Sequence, residues 1–534
     1  MRRRYTVRIT AAVIGGAVLV TVASAGMAGS TRQRPRVGGA VIVGLPVEPP
    51  TLNPYYPSGA PNPVVDAILE GAYSPNGTGD LVPDLIVGDP KIETRPFSLT
   101  YTIKKDARWS DGRSITARDF WFTWRTLRKL NRTLPEDERF TEGELIRKAS
   151  ILRRKKVKFV LTKPYGGWRE FFPTILPSHA LAGEDFTTVW QDTVDNPKNG
   201  RSISSGPFIF ASWRHGSQLT LVRNRHYWRR KAYLGQLAFR AVRTTGFPGG
   251  VRALLAHKVD VVGVLAKTEV EELGRHKPGI RIRRDSGSQF EHLDFQLGKK
   301  GNPALKKPFV RRAIALAIDR KALASTQPLG AKALRSLLFT AGHPAYKPHW
   351  QRRNSSPGEA IRLLRSKGCR RGRDKIFSCG PQRLSFRVLS TAIPPRELEF
   401  AALAQQLRRV GIELRKDFFP RDLALRTLIP QGDWDLALFA WSIGPDPVGR
   451  EDVYGCKGRN NYQAYCDHAV TRLLGNASRA LRTSRRWALA NRADALIARD
   501  MPTVPLFVPL DLVAYRSDIH NIAANVQDWW RAGR

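Results

Sequence analysis

At 534 residues, with 42% hydrophobic and 25% charged side chains, the chain exceeds the length at which one core stops growing, which excludes a single small domain and predicts two or three packed subdomains. Its 36 prolines, 44 glycines and 13 tryptophans are spread along the chain, which fits many short strands and turns and excludes a fibrous protein or a long helical bundle. The 88 Lys and Arg against 46 Asp and Glu leave a formal net charge of +42; because these cations lie everywhere, with no helix-turn-helix, zinc-finger or RNP aromatic signature, no nucleic-acid partner is expected, and the charge reads as adaptation to an anionic envelope surface or as a high-arginine genome.

The first 30 residues are set aside as a signal peptide. Arg2, Arg3 and Arg4 precede a mostly apolar run at 9–22, and Ala23-Ser24-Ala25 supplies an A-x-A site, so cleavage is expected after Ala25, with a less regular site near Ala28. The run is short for a membrane span; an uncleaved N-terminal anchor is the alternative. No cysteine lies near the cleavage site, so no lipidated mature terminus is expected. Residues 31–37 form a basic leader, and the fold is expected to begin with the apolar run at 38–45. No later stretch of about 18 apolar residues occurs, so the mature protein is expected to be exported, periplasmic or at the cell surface, and soluble there.

Strand-like runs follow at 98–103, 156–161, 208–211, 218–222, 237–242, 384–389 and 436–441, with helical periodicity at 117–129, 309–324, 357–366, 397–410 and 484–499. The mixture is α/β. Asp111-Gly112 marks a turn, and Thr116 is placed to cap a helix that carries Phe120 and Trp124 on one face. Gly411 sits where a left-handed helix end wants glycine, and 384–416 reads as a strand, helix, strand unit of the kind that builds parallel or mixed sheets. The four cysteines form two local pairs, Cys369 with Cys379 and Cys456 with Cys466. In an oxidising compartment each pair can close a small loop. Three pairings are formally open and the local one is favoured; zinc is disfavoured, because no C-x-x-C element and no clustered histidines accompany them. There is no G-x-S-x-G elbow, H-E-x-x-H, S-x-x-K set or P-loop, so neither an enzyme nor a cofactor is expected.

A series of phrases in fixed order resembles one family, the peptide and nickel class of extracellular solute-binding proteins known as family 5. They run from Pro49-Pro50-Thr51-Leu52-Asn53-Pro54 through Glu70-Gly71-Ala72-Tyr73, Leu81-Val82-Pro83-Asp84-Leu85, Trp109-Ser110-Asp111-Gly112 with Thr116-Ala117-Arg118-Asp119-Phe120, Ser205-Gly206-Pro207-Phe208 and Arg223-Asn224-Arg225-His226-Tyr227-Trp228. The series continues with Ala253-Leu254-Leu255 before Val259-Asp260-Val261, the stretch from Val310 to Arg320, Asp433-Trp434-Asp435 with Trp441, and Met501-Pro502-Thr503-Val504-Pro505-Leu506.

The resemblance implies a two-lobe, periplasmic-binding-protein-like clamp of the class II, three-domain type with mixed sheets. On that pattern a discontinuous domain I covers 38–82, 205–292 and 503–534, domain II covers 83–204, and domain III, the second lobe, covers 293–502 and holds all four cysteines. It also implies a monomeric receptor that captures an oligopeptide or similar small solute between the lobes for a membrane-embedded ABC permease. The alternative is an exported scaffold that reuses the clamp to bind anionic polymers.

In this family the loop after Leu-Asn-Pro lines the cleft, which implicates Tyr55, Tyr56, Ser58, Gly59 and Ala60. The second wall is expected at Trp441-Ser442-Ile443-Gly444-Pro445-Asp446-Pro447, where peptide-binding relatives carry an aspartate for the ligand's α-amino group. Here that position is Gly444. Either Asp446, two residues on, takes the role, or the ligand has no free amine. Trp441 is a stacking candidate, and Arg387 and Arg396 are candidates for an acidic group on the ligand.

Overall fold

Ala40-Val41-Ile42-Val43 is apolar at every position because its strand is covered on both faces. In the computed structural model, Ala40–Leu45 pairs in parallel with Gln236–Ala241 on one side and Val261–Val264 on the other. The structure describes residues 36–534 except 56–61, 77–79, 243–248, 265, 277, 286, 288, 351–354, 443, 445, 523–531 and 534. The expected leader and cleavage sites lie outside the described residues. No helix among the described residues is long and apolar enough to cross a membrane.

Three larger sheets organise the chain. A seven-stranded sheet has the order Phe208–Arg214, Gln218–Arg223, Gln236–Ala241, Ala40–Leu45, Val261–Val264, Asp511–Arg516, Ile280–Asp285. A four-stranded antiparallel sheet runs Lys91–Thr94, Phe97–Thr102, Lys156–Leu161, Ile146–Arg153. The helix Ala117–Leu130 packs on it through Phe120, Trp124 and Leu127, and opens with a capping box in which Thr116 and Asp119 satisfy each other's turn. A six-stranded mixed sheet runs Ala331–Ala333, Thr503–Pro509, Gln289–Phe295, Leu436–Ser442, Ser385–Thr391, Glu413–Phe419.

The strand, helix, strand unit expected at 384–416 is present: Ser385–Thr391 and Glu413–Phe419 are parallel, with Pro394–Arg409 between them and Gly411 at φ +82°. One expected helix differs. The run at 309–324 forms two helices, Pro308–Ala317 and Arg320–Ala324, because Asp319 Oδ1 accepts from the amides of Lys321 and Ala322 (both 3.0 Å) and so starts a new helix where the periodicity alone would continue the first. The structure pairs Cys369 with Cys379 and Cys456 with Cys466.

The two larger sheets are joined by the same two chain segments, side by side. Gln289–Phe295 pairs with Thr503–Pro509 in the six-stranded sheet, and Ile280–Asp285 pairs with Asp511–Arg516 in the seven-stranded one. Only residues 286–288 and Leu510 separate the consecutive strands. At this crossing a Cβ on Gly287 would overlap the Pro509 carbonyl. Pro505, which has no amide to donate, faces His292 where the register shifts between Glu291 and His292.

A buried ion triplet ties this crossing strand to its neighbour. Arg396, at the start of the helix Pro394–Arg409, binds Glu291 on the strand and Glu399 one turn along at 2.9 Å, while Gln327 Nε2 donates to Glu399 at 3.1 Å. All three charged residues are buried. Arg396→Ala would leave two carboxylates in the interior without a cation and is expected to cost about 3–5 kcal/mol, read by urea unfolding. Removing all three charges together (Glu291→Gln, Arg396→Met, Glu399→Leu) is expected to cost less than that single change. Gly287→Ala is expected to destabilise by about 1–3 kcal/mol in the same assay, because the intruding atom meets backbone and not a movable side chain.

Candidate functional site

Residues 163–172, which follow the four-stranded sheet, lie against the segment 444–486 that follows the strand Leu436–Ser442. Gly166 N donates to Ser478 O at 2.6 Å, and Arg459 Nη1 donates to Glu136 O at 2.8 Å. Val448 and Leu481 of the second segment pack into the core that holds Tyr165, Trp168 and Phe171 of the first. Charged side chains collect along this seam.

Asp446 is held by Arg486, whose Nε donates to both carboxylate oxygens at 2.8 and 2.7 Å. Arg486 is itself buried and gives Nη1 to Ala480 O at 2.7 Å. Arg450 Nη2 donates to Ser442 O at 2.8 Å, and burial pulls its guanidinium below the usual value, with Tyr454 and Glu170 opposing. Among the described residues the Glu170 carboxylate has neither a hydrogen-bond nor an ion-pair partner. Glu170 is exposed; the protein packed around it and the charge of Asp446 push its carboxyl up to about 7, against Arg450 and Arg486. A Cβ built on Gly444 would fit without overlap, in ordinary contact with Glu170 Oε1 at 3.8 Å and the Asp446 carbonyl at 3.6 Å.

Of the side chains expected at this wall, Trp441 is half-buried in an aromatic row, stacked toward His292 (centroids 6.2 Å, 16°) and Tyr462 (6.0 Å, 21°) with Phe439 edge-on at 5.3 Å. Ser442 and Gly444 are exposed at the strand's end. Tyr55 is buried, its hydroxyl donating to Thr174 O and its ring edge-on to Phe140 at 5.3 Å. Tyr56, Ser58, Gly59 and Ala60 lie outside the described residues. The structure does not bring the two arginines to the seam as free cations: Arg387 Nη2 donates to Asp433 Oδ1 at 2.7 Å, and Arg396 is the centre of the buried triplet.

Glu170, Arg450 and Arg486 carry no mark in the sequence reading, since only tertiary packing brings them together. The one available signal for Glu170 is its isolation as the sole acid within the aromatic stretch 165–172. Asp66, in the helix Pro63–Ile68 just beyond the loop 55–61, is a further half-exposed carboxyl pushed up, to about 6, by removal from water.

Two other features lie apart from the seam. A groove of about 930 Å³ on the helix Ala117–Leu130 is lined by Arg118, Trp121, Phe122, Arg125 and Arg128 among others, with Arg125 5.2 Å over the Trp121 ring. Cys456, Cys466 and His468 bring three potential metal-ligating atoms within 4.8 Å of one another, but the two sulfurs are bonded to each other and offer no thiolate.

The sequence profile of the bacterial extracellular solute-binding proteins, family 5 Middle, matches residues 80–461. Oligopeptide-binding protein OppA of Mycobacterium tuberculosis is 26% identical over 510 residues, covering 91% of this chain and 83% of that protein. Oligopeptide-binding protein AppA of Bacillus subtilis is 21% identical over 568 residues that span both chains fully. In fold, the periplasmic EDTA-binding protein EppA superposes with a TM-score of 0.82 at 21% identity, covering 97% of this chain and 99% of that one. AppA of Bacillus subtilis in complex with a nonapeptide gives 0.75 at 19% identity, covering 93% and 99%. With a family profile matched over most of its length and the two-lobe architecture around that match, the chain belongs to the bacterial extracellular solute-binding proteins of family 5.

Proposed function

We propose that this protein is the extracytoplasmic receptor of an ABC importer and holds a peptide or a similar small solute in the seam between its lobes, binding it without transforming it. The observation that carries this reading is the family match over 80–461 on a chain whose sheets are joined by two adjacent crossings, an arrangement suited to hinge closure. Relatives named for oligopeptide binding support the peptide class.

The three-domain partition belongs to the same proposal. The seven-stranded sheet draws on 38–82, 205–292 and 503–534, and the four-stranded sheet on 83–204. Placing the borders of domain III at the crossings, near 287 and 510, instead of at 292 and 502 puts each of the four crossing strands wholly with its own sheet. Of the residues expected to line the cleft, Trp441, Ser442 and Gly444 remain candidates on position, and Asp446 enters the site as half of an ion pair.

The basic groove on the helix Ala117–Leu130 favours a second reading, in which the protein retains anionic polymer at the envelope. A thermal-shift screen separates the two. The panel comprises short peptides, amino-acid derivatives, oligosaccharides and nickel complexes, with heparin as the polyanion. One small-solute class is expected to raise the melting temperature saturably and at high salt; at 100 times its Kd, the solute adds about 2.7 kcal/mol. A shift from heparin alone, abolished by salt, would replace the receptor reading with the polymer one.

A further inference from the structure

We propose that Glu170 is the carboxylate that receives the ligand's ammonium group, supplied from the wall opposite Gly444. This assignment rests on the receptor reading and names the chemistry of one end of its ligand. Four observations lead to it.

Gly444 has no side chain to offer, and the nearest carboxylate along its loop, Asp446, is neutralised on both oxygens by Arg486. A side chain can be accommodated at Gly444 without overlap, and Glu170 Oε1 faces that position from the other segment, 3.8 Å from where a Cβ would stand. Neither Arg450 nor Arg486, the two cations whose fields reach Glu170, bonds to it. Finally, cations are not scarce: Lys and Arg number 88 against 46 Asp and Glu. Asp446, Asp84 and Glu291 each have an arginine, Arg486, Arg229 and Arg396 in turn, and among the described residues Glu170 has none. An accessible carboxylate without a partner is complementary to an ammonium ion, which forms charge-assisted hydrogen bonds there and neutralises the group.

The groups facing Glu170 are Asp446, Arg450, Glu142 and Arg486. In their presence its carboxyl titrates at about 7 in the unliganded protein, whereas a peptide α-amine stays protonated below about 7.7. Ammonium binding needs the ionised carboxylate. Affinity is therefore expected to fall by more than about tenfold from pH 7 to pH 5.5, and Glu170→Gln should flatten that profile.

The test uses the full chain and a synthetic pool of tri- to pentapeptides, presented as free amines and again after N-acetylation, with apparent affinity read from the concentration dependence of the melting shift. The free-amine pool is expected to bind about 10- to 100-fold better than the acetylated pool. Glu170→Gln should erase that preference, and adding Gly444→Asp to Glu170→Gln should restore it, since the carboxylate then stands on the other wall of the same space. The folded state holds the Glu170 proton more tightly than an unfolded chain does, so the ionised side chain opposes folding above about pH 7. Glu170→Gln alone should accordingly melt no lower than the parent at pH 8, where a purely structural role would lower it. Equal binding of the two pools, or a preference that survives Glu170→Gln, overturns the assignment and leaves the receptor reading standing. A shift from neither pool, with oligosaccharides or nickel complexes shifting the same protein, overturns the assignment together with the peptide class.

Discussion

Two strands that pass together from one sheet to another constrain everything else in this protein. Each strand of the crossing must keep its amides and carbonyls paired on both sides of a gap of one to three residues, because an unpaired backbone group buried there would cost as much as a lost hydrogen bond. The antiparallel partnership Ile280–Asp285 with Asp511–Arg516 hands over directly to Gln289–Phe295 with Thr503–Pro509. Any change of angle between the sheets that keeps both ladders intact would have to be absorbed at Gly287 and Leu510, where the ladders are interrupted. The Glu291, Arg396, Glu399 triplet begins two residues beyond the second ladder's first residue and fastens it to a helix. The strand cannot slip in register without breaking a buried ion pair, so the crossing has a fixed end inside the six-stranded sheet.

The phrases that carry the family resemblance are largely joints of this frame and not contacts for a ligand. Glu70 accepts from the Tyr227 hydroxyl and from Trp228 Nε1 at 3.1 Å, and its backbone amide donates to Ser205 Oγ at 2.8 Å. Three phrases distant in sequence thus meet at one residue, whose carboxyl is pushed up to about 8, chiefly by burial. Asn53 Nδ2 donates to Phe186 O at 2.8 Å, Asp119 closes its capping box and accepts from Ser178, and Arg311 gives its guanidinium to the carbonyls of Leu305, Asp500 and Met501. A frame held by such local joints can be kept while the loops at the seam change, which is why family membership is readable here and the solute is not.

What was legible follows from where partners come from. Strands at 156–161 and 436–441 and the helix at 357–366 announce themselves by period, since their apolar faces meet a continuous core. The crossing strands do not. Gln289–Phe295 carries Glu291, His292 and Asp294 inward on its two faces, matched by Arg396 on one and stacked among Phe290, Phe439 and Trp441 on the other. Ile280–Asp285 alternates isoleucine with arginine and reads as a surface segment. A charge that is buried because its partner lies over a hundred residues away looks, in one dimension, like a charge in water. The same holds at the seam: the segment 441–447 was identified by position, whereas the state of Asp446 depends on Arg486, forty residues on, and could not be read from its own neighbourhood.

The excess of positive charge bears on recognition in a second way. A net charge of +42 surrounds the protein with a field that repels cations at long range and attracts anions, but at physiological ionic strength that field decays over about 8 Å. On the proposed assignment the order is reversed inside the seam, where the ionised Glu170 carboxylate stands 3.8 Å from the Gly444 Cβ position. A solute drawn through the outer field and then held by an ammonium contact is best served by a second charge of the opposite sign, as in a zwitterion whose acidic end faces the surrounding arginines. Long-range attraction and short-range anchoring then act on different ends of one molecule, and a diffuse basic surface is compatible with a carboxylate at the point of capture.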